Sequence, residues 1–308
     1  METGPALPST PEPIPLGALS DPILVDPGPR LLRAVVGAYR VAAPTLVDPS
    51  VADLTGEAGD RDGADSAGLP ALRVFAGEPA VDDATAGFRS GSRFAALLDA
   101  DLLDLRVLDA PQPNPVLAGA ETGFALIENE REGAAAEAVR WHRVGDDPSL
   151  RERYAPAFAG AEPHRLRTPS RRRAYEGFAA RCEESVAVAV LRALDADAGP
   201  ASRTDDGPGS EEADHGPDAE ATRVRAYAVG AREGVSDHAL RRACEDAGLG
   251  SPSTFTRIKR LLSEANLIET VPEPQPVGRP RERLTARGAL AAAETPEETV
   301  AAVRGVTE

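Results

Sequence analysis

The chain has 308 residues, enough for two domains, and is 42% apolar but only 4% aromatic, so its cores must be built from Val, Leu and Ala. The formal charge is −16, Lys259 is the only lysine, and Ala, Gly and Asp abound, a composition that fits a cytosolic protein of a salt-loaded, GC-rich organism. No apolar run approaches the roughly eighteen residues of a membrane span, and the N-terminus lacks the basic start and apolar core of a signal peptide. The two cysteines, Cys182 and Cys244, fall in helices expected to lie in different domains, which argues against a disulfide framework or a cysteine metal site.

Residues 1–15, "METGPALPSTPEPIP", read as a disordered Pro-rich tail. From 16 to 194 short apolar runs alternate with helical stretches. "PILVDP", "PTLVDPS", "ALRVFAG" and "LRVLDA" read as strands, and "RLLRAVVGAYR" and "SGSRFAALLDADLLD" as helices. That alternation predicts an α/β domain with a mainly parallel sheet, suited to sensing or dimerisation. The acidic stretch from Glu57 to Gly68 reads as a loop insertion, "PVLAGAETGFALIEN" as a hairpin around Ala120–Gly123, and "EAVRWHRV" as a late strand. Asp26 and Asp48 end expected strands, where open α/β sheets often bind ligands, but helix capping is the more ordinary role for both.

A long helix is expected next, capped by Thr168 with Pro169 in its first position and running to Leu194. Tyr175, Phe178, Cys182, Val186, Ala189 and Val190 form its apolar stripe, expected to pack on the sheet, with a dimer interface as the alternative. Arg165, Arg167, Arg171, Arg172 and Arg173 gather around its N-terminus, where free N–H groups and the helix dipole favour a small anionic effector. The more ordinary use of such arginines is pairing with the acidic surface or with DNA phosphates.

Residues 195–221 are acidic and rich in Gly and Asp, and read as a disordered linker. After it the pattern turns compact and helical. "TRVRAYAVGAREG" is a first helix. "SDHALRRACEDAG" is a second, capped by Ser236 and ended by Gly248. "PSTFTRIKRLLSEA" is a third, capped by Ser251. "LIETV" and "RERLTA" follow as strands around "PEPQPVGRP". Three helices and a hairpin over 222–290 make a winged helix-turn-helix. Residues 291–308 hold a terminal helix and tail, opened by a capping box at Thr295–Glu298.

At 100° per residue, Phe255, Ile258, Leu261, Leu262 and Ala265 share one side of the third helix. Ser253, Thr256, Arg257, Arg260 and Ser263 share the other, with Lys259 at its edge and Thr254 at the apolar boundary. Arg, Ser and Thr are groups with which helices contact base edges and phosphates. Arg279, Arg281 and Arg283 surround Gly278 and Pro280 in the following loop, as a minor-groove wing would. Between Ala221 and Leu290, twelve Lys or Arg face eight Asp or Glu, a net of +4 that leaves −20 on the rest of the chain. A cationic module on an acidic body is the electrostatic footprint of a nucleic-acid binder. A solvated polar face and a charged hairpin that blunts a sheet edge are the plainer uses of these residues.

"GSPSTFTRIKRLLSEANLIET", followed by "VGRPRERL", resembles the winged domain of haloarchaeal TbsP-type transcriptional regulators, and "LRTPSRRRAYEGF" fits the same pattern. The resemblance implies sequence-specific binding of duplex DNA and control of metabolic genes. The exposed face of the third helix and the arginine-proline loop give Ser253, Thr254, Thr256, Arg257, Lys259, Arg260, Arg279, Arg281 and Arg283 as the DNA-contacting candidates. Enzyme signatures such as G-x-x-x-x-G-K-[ST], H-E-x-x-H and G-x-S-x-G are absent, and the four histidines are scattered, so neither catalysis, cofactor nor metal is expected. A cytoplasmic homodimer on double-stranded DNA is the expected form, without membrane contact. The alternative is a winged-helix protein-interaction module attached to a metabolite-binding α/β domain.

Overall fold

The computed structural model describes residues 4–9, 12–57, 68–127, 140–196, 216–273 and 281–307. The chain divides into two compact units, one of Met1–Thr85 with Arg93–Arg165 and the other of Ala86–Ser92 with Leu166–Glu308. The expected acidic insertion and most of the expected linker lie outside the described residues.

The first unit contains β1 (Ala6–Leu7), β2 (Ile14–Pro15), β3 (Ile23–Val25), α1 (Pro29–Ala42), α2 (Pro44–Val47), α3 (Val51–Leu54), β4 (Leu72–Ala76) and α4 (Glu78–Ala84). It continues through most of α5 (Phe88–Asp99), then β5 (Leu103–Val107), β6 (Val116–Ala118), β7 (Gly123–Ile127), β8 (Arg140–Gly145) and α6 (Ser149–Gly160). One six-stranded sheet runs in the order β5-β4-β3-β6-β7-β8. β3, β4 and β5 pair in parallel, as helical crossovers require, and β6, β7 and β8 add antiparallel hairpins. β3 is buried at every residue because both faces of the sheet are covered. On one face Ile23, Val25, Phe75, Val116 and Ala118 pack against Tyr154 and Phe158 of α6, with the Phe75 and Phe158 rings edge to face at 5.8 Å.

Three expectations fail in this unit. The tail is not disordered from 4 to 9, because β1 pairs with β2 and Leu7 is fully buried. "PTLVDPS" is a helical turn instead of a strand: Pro44 presets its first φ, and a single turn suffices to bury Val47. Neither Asp26 nor Asp48 N-caps a helix, although Asp48 takes the C-cap position of α2. Asp26 takes a left-handed turn (φ 51°) and accepts the Gln112 N–H at 2.6 Å, while Asp48 pairs with Arg93 at 2.8 Å. Gly28 and Ser50 hold the cap positions instead.

The second unit contains α7 (Arg171–Ala179), α8 (Glu184–Asp195), α9 (Ala219–Arg232), α10 (Asp237–Asp246), α11 (Pro252–Glu264), β9 (Ile268–Glu273), β10 (Arg281–Ala286), α12 (Gly288–Ala292) and α13 (Pro296–Thr307). The long helix expected over 168–194 is two helices, α7 and α8. Ser170 supplies the cap in place of Thr168, accepting the Arg173 N–H at 3.3 Å. The apolar stripe does not lie on the sheet: α7 packs on α10, and α8 on α9 and α13. A break at Ala180–Glu183 lets one stripe serve these separate partners. The first unit therefore ends at Arg165, short of the expected boundary at 194. The helix-turn-helix elements lie where the sequence places them. Gly248 (φ 77°) ends α10, β9 and β10 form an antiparallel hairpin, and Thr295 and Glu298 complete the capping box of α13.

Gly177 sets how closely α7 approaches the end of α10, since a Cβ there would sit 2.6 Å from the Ala247 Cα. Gly37 in α1 faces open space. Gly177→Ala should destabilise the protein by about 1–3 kcal/mol through the backbone clash. Gly37→Ala should stabilise it by about 0.5–1 kcal/mol through helix propensity. Chemical denaturation of both variants checks the opposed signs.

Candidate nucleic-acid interface

α11 is oriented by its apolar seam. Phe255, Ile258 and Leu262 are buried, and the Phe255 ring stacks on Tyr227 of α9 with centroids 5.9 Å apart. Leu261 is only half-buried and Ala265 is exposed, so the seam is narrower than expected. Turning these residues inward leaves Ser253, Thr256, Arg257, Arg260 and Ser263 exposed, with Thr254 half-buried. Ser251 occupies the cap position, but its hydroxyl pairs with those of Ser253 and Thr254 at 2.8 and 3.1 Å and not with a backbone N–H.

The basic residues differ in how they are held. Arg257 donates from Nη2 to both carboxylate oxygens of Glu220 at 2.6 Å, and this pairing holds its guanidinium above the ordinary arginine range. Arg260 stands 3.8 Å from Glu264 and is well exposed. Lys259 is drawn inward, 17% exposed, and donates to Asp237 at 3.1 Å and to Glu282 at 2.6 Å. Its ammonium is therefore an internal brace here rather than part of the exposed face. Arg283 donates through Nε to the Gly234 carbonyl at 2.9 Å, beside a left-handed turn that only Gly takes readily. Arg279 and the Arg281 side chain lie outside the described residues, so the expected loop tip does too.

Behind the exposed face sits a polar network that the sequence did not reveal. The Asp237 carboxylate, 11% exposed, accepts from Tyr227 of α9, Arg241 of α10 and Lys259 of α11. Arg241 also donates to the Thr256 hydroxyl at 2.8 Å. Burial pushes the Asp237 pKa up, but the hydrogen bonds from Tyr227, Arg241 and Lys259 outweigh it and hold the carboxyl below its usual range. Tyr227 is pushed up, first by burial and then by Asp237. Asp237 and Arg241 stand at the i,i+4 spacing of a helix ion pair, but no spacing rule brings Tyr227 or Lys259 to them, and Glu220 fell inside the expected linker.

The five arginines near the α7 terminus are divided between the two units. Arg165 belongs to the first unit and the other four to the second. Arg171 is buried and paired with Asp195, Arg172 is half-buried, and the exposed Arg173 lies against the Gly248 turn. Cys182 and Cys244 belong to the same unit, contrary to expectation, and are free thiols whose pKa values burial pushes up, Cys182 to about 11. Among the described residues no cluster of His, Cys, Asp and Glu could hold a metal ion, and no helix is long and apolar enough to cross a membrane.

Removing the Asp237 carboxylate would strand Lys259 and Arg241, partly buried, without their shared partner. Asp237→Ala should cost about 3 kcal/mol in denaturant unfolding. The folded pKa is depressed, so the contribution is present above the unfolded value near ~4 and lost as pH falls through the folded one. Asp237→Asn should therefore flatten the acid limb of the stability profile below about pH 4, as measured by denaturation across that window.

Two family models match the chain. The model described as transcriptional regulator TbsP-like, N-terminal, covers residues 31–169, and the one described as transcriptional regulator TbsP-like, C-terminal HTH domain, covers 186–304. No curated protein and no solved structure matches it. The helix-turn-helix built by α9, α10 and α11 falls within the second match, and most of the sheet within the first. With both regions matched and together spanning most of its length, the chain belongs to the TbsP-like transcriptional regulators.

Proposed function

We propose that the protein binds specific duplex sites at the promoters of metabolic genes, with α11 in the major groove and the β9–β10 hairpin as a wing along the adjacent backbone. One observation carries this: a buried seam of Phe255, Ile258 and Leu262 presents Ser253, Thr256, Arg257 and Arg260 together on the opposite, exposed face. Ser253, Thr256 and Arg257 lie in the first half of the helix, which suits contact with base edges. Arg283, fixed to Gly234 at the base of the hairpin, supports a phosphate contact there. The protein acts in the cytoplasm, as a homodimer on two half-sites about one helical turn apart.

Fluorescence anisotropy of the full chain with a labelled duplex selected from a random library tests this. Arg257→Ala and Arg260→Ala should each weaken binding by about 1–3 kcal/mol. Arg143→Ala, on β8 of the first unit, should leave affinity unchanged. Wild-type protein indifferent to every duplex at low salt would overturn the proposal. Expression profiling of a deletion strain tests the metabolic targets.

A further inference from the structure

Thr256 lies on the exposed face of α11 with its hydroxyl already committed. The hydroxyl donates to the Pro252 carbonyl at 3.0 Å, so its one proton is turned back onto its own helix. The same oxygen accepts from Nη1 of Arg241, on α10, at 2.8 Å. Arg241 is in turn held in place, because its Nε and Nη2 grip the two oxygens of the Asp237 carboxylate at 3.0 and 2.9 Å. A threonine in a helix divides between two χ1 rotamers, and bonds to its own helix and to the next one favour a single choice.

A hydroxyl has one donor and two acceptor lone pairs. With the donor and one lone pair in use, Thr256 has a second lone pair and its Cγ2 methyl left to present. The lone pair is a poor reader of bases. The base groups that would donate to it are the amino groups of adenine and cytosine, and the Arg241 guanidinium against the same oxygen repels their positive hydrogens. The methyl meets no such opposition, and thymine alone among the four bases places a methyl in the major groove. We infer that Thr256 is a specificity-determining residue whose methyl selects a thymine in the bound sequence. This rests on α11 being the DNA-reading helix, and it names the base that one residue of that helix reads.

The test uses the full chain and a labelled duplex selected from a random library, read by fluorescence anisotropy. Each thymine of the selected motif is replaced in turn by deoxyuridine, which removes the C5 methyl and leaves every hydrogen-bonding group in place. At one or more positions wild type should bind the replaced duplex about three- to fivefold more weakly, the scale of burying one methyl. Thr256→Ser keeps the hydroxyl and loses the methyl, so at one of those positions it should bind the thymine and deoxyuridine duplexes equally. Thr256→Val keeps the methyl and loses the hydroxyl, so it should retain the wild-type preference there. Both changes leave the bonds between Arg241 and Asp237 in place, and melting curves verify that the variants fold. A preference kept by Thr256→Ser at every position, or lost by Thr256→Val, overturns the proposal while leaving DNA binding through α11 intact. So does a motif in which no thymine methyl affects wild-type affinity. A wild type that selects no motif overturns both readings.

Discussion

One buried carboxylate ties the helix-turn-helix together. Asp237 joins α9 through Tyr227, α10 through Arg241 and α11 through Lys259, and Lys259 extends the chain of contacts to Glu282 on β10. An apolar seam alone does not fix the rotation of a helix, because hydrophobic contact is non-directional. Hydrogen bonds are directional, and the Asp237 network meets α11 at Lys259 while Arg241 meets it again at Thr256. Two polar attachments and an aromatic stack onto Tyr227 leave α11 a single way to face outward.

The one lysine in the chain and the arginines around it divide these tasks by chemistry. A compact ammonium with three donors can serve two carboxylates in a confined space, as Lys259 does. A guanidinium is planar and offers five donors, so it can keep one acceptor while presenting an edge to another. Arg257 gives Nη2 to Glu220 on the outside, and its Nε and Nη1 have no acceptor among the described residues. The chemical split between an inward lysine and outward arginines explains why the cationic count of the sequence overstates the charge available on the face.

Local rules recovered most of the elements. Ser236, Gly248 and the Thr295–Glu298 box marked helix ends correctly, because caps and left-handed turns depend on a few adjacent residues. The stripe of Phe255, Ile258 and Leu262 showed which side of α11 is buried. What failed depended on distant partners. The stripe over 175–190 was visible, but its neighbours α9, α10 and α13 lie beyond a long acidic stretch, and composition favoured the nearer sheet. Leu7 looked like tail because its pairing partner Ile14 lies beyond a Pro-rich stretch of sequence. The networks around Asp237 and Glu220 join residues up to 37 positions apart, and no periodicity records such meetings.

The acidity of the body constrains how such a face can bind a polyanion. Beyond about 10 Å at 0.1 M salt, the charge of −16 is largely screened and does not forbid approach, but it gives no steering either. Affinity must then come from contacts at van der Waals range. Within the proposed interface, Arg257 and Arg260 already face Glu220 and Glu264, so a duplex contact there would exchange one acceptor for another instead of adding a new ion pair. Such an exchange releases fewer counterions than the number of arginines suggests, and the non-specific component of binding shrinks accordingly. What remains is the part that depends on acceptor geometry, and base edges differ in that while phosphates do not. On the proposed reading, an acidic regulator built this way would trade general attraction to DNA for discrimination between sequences.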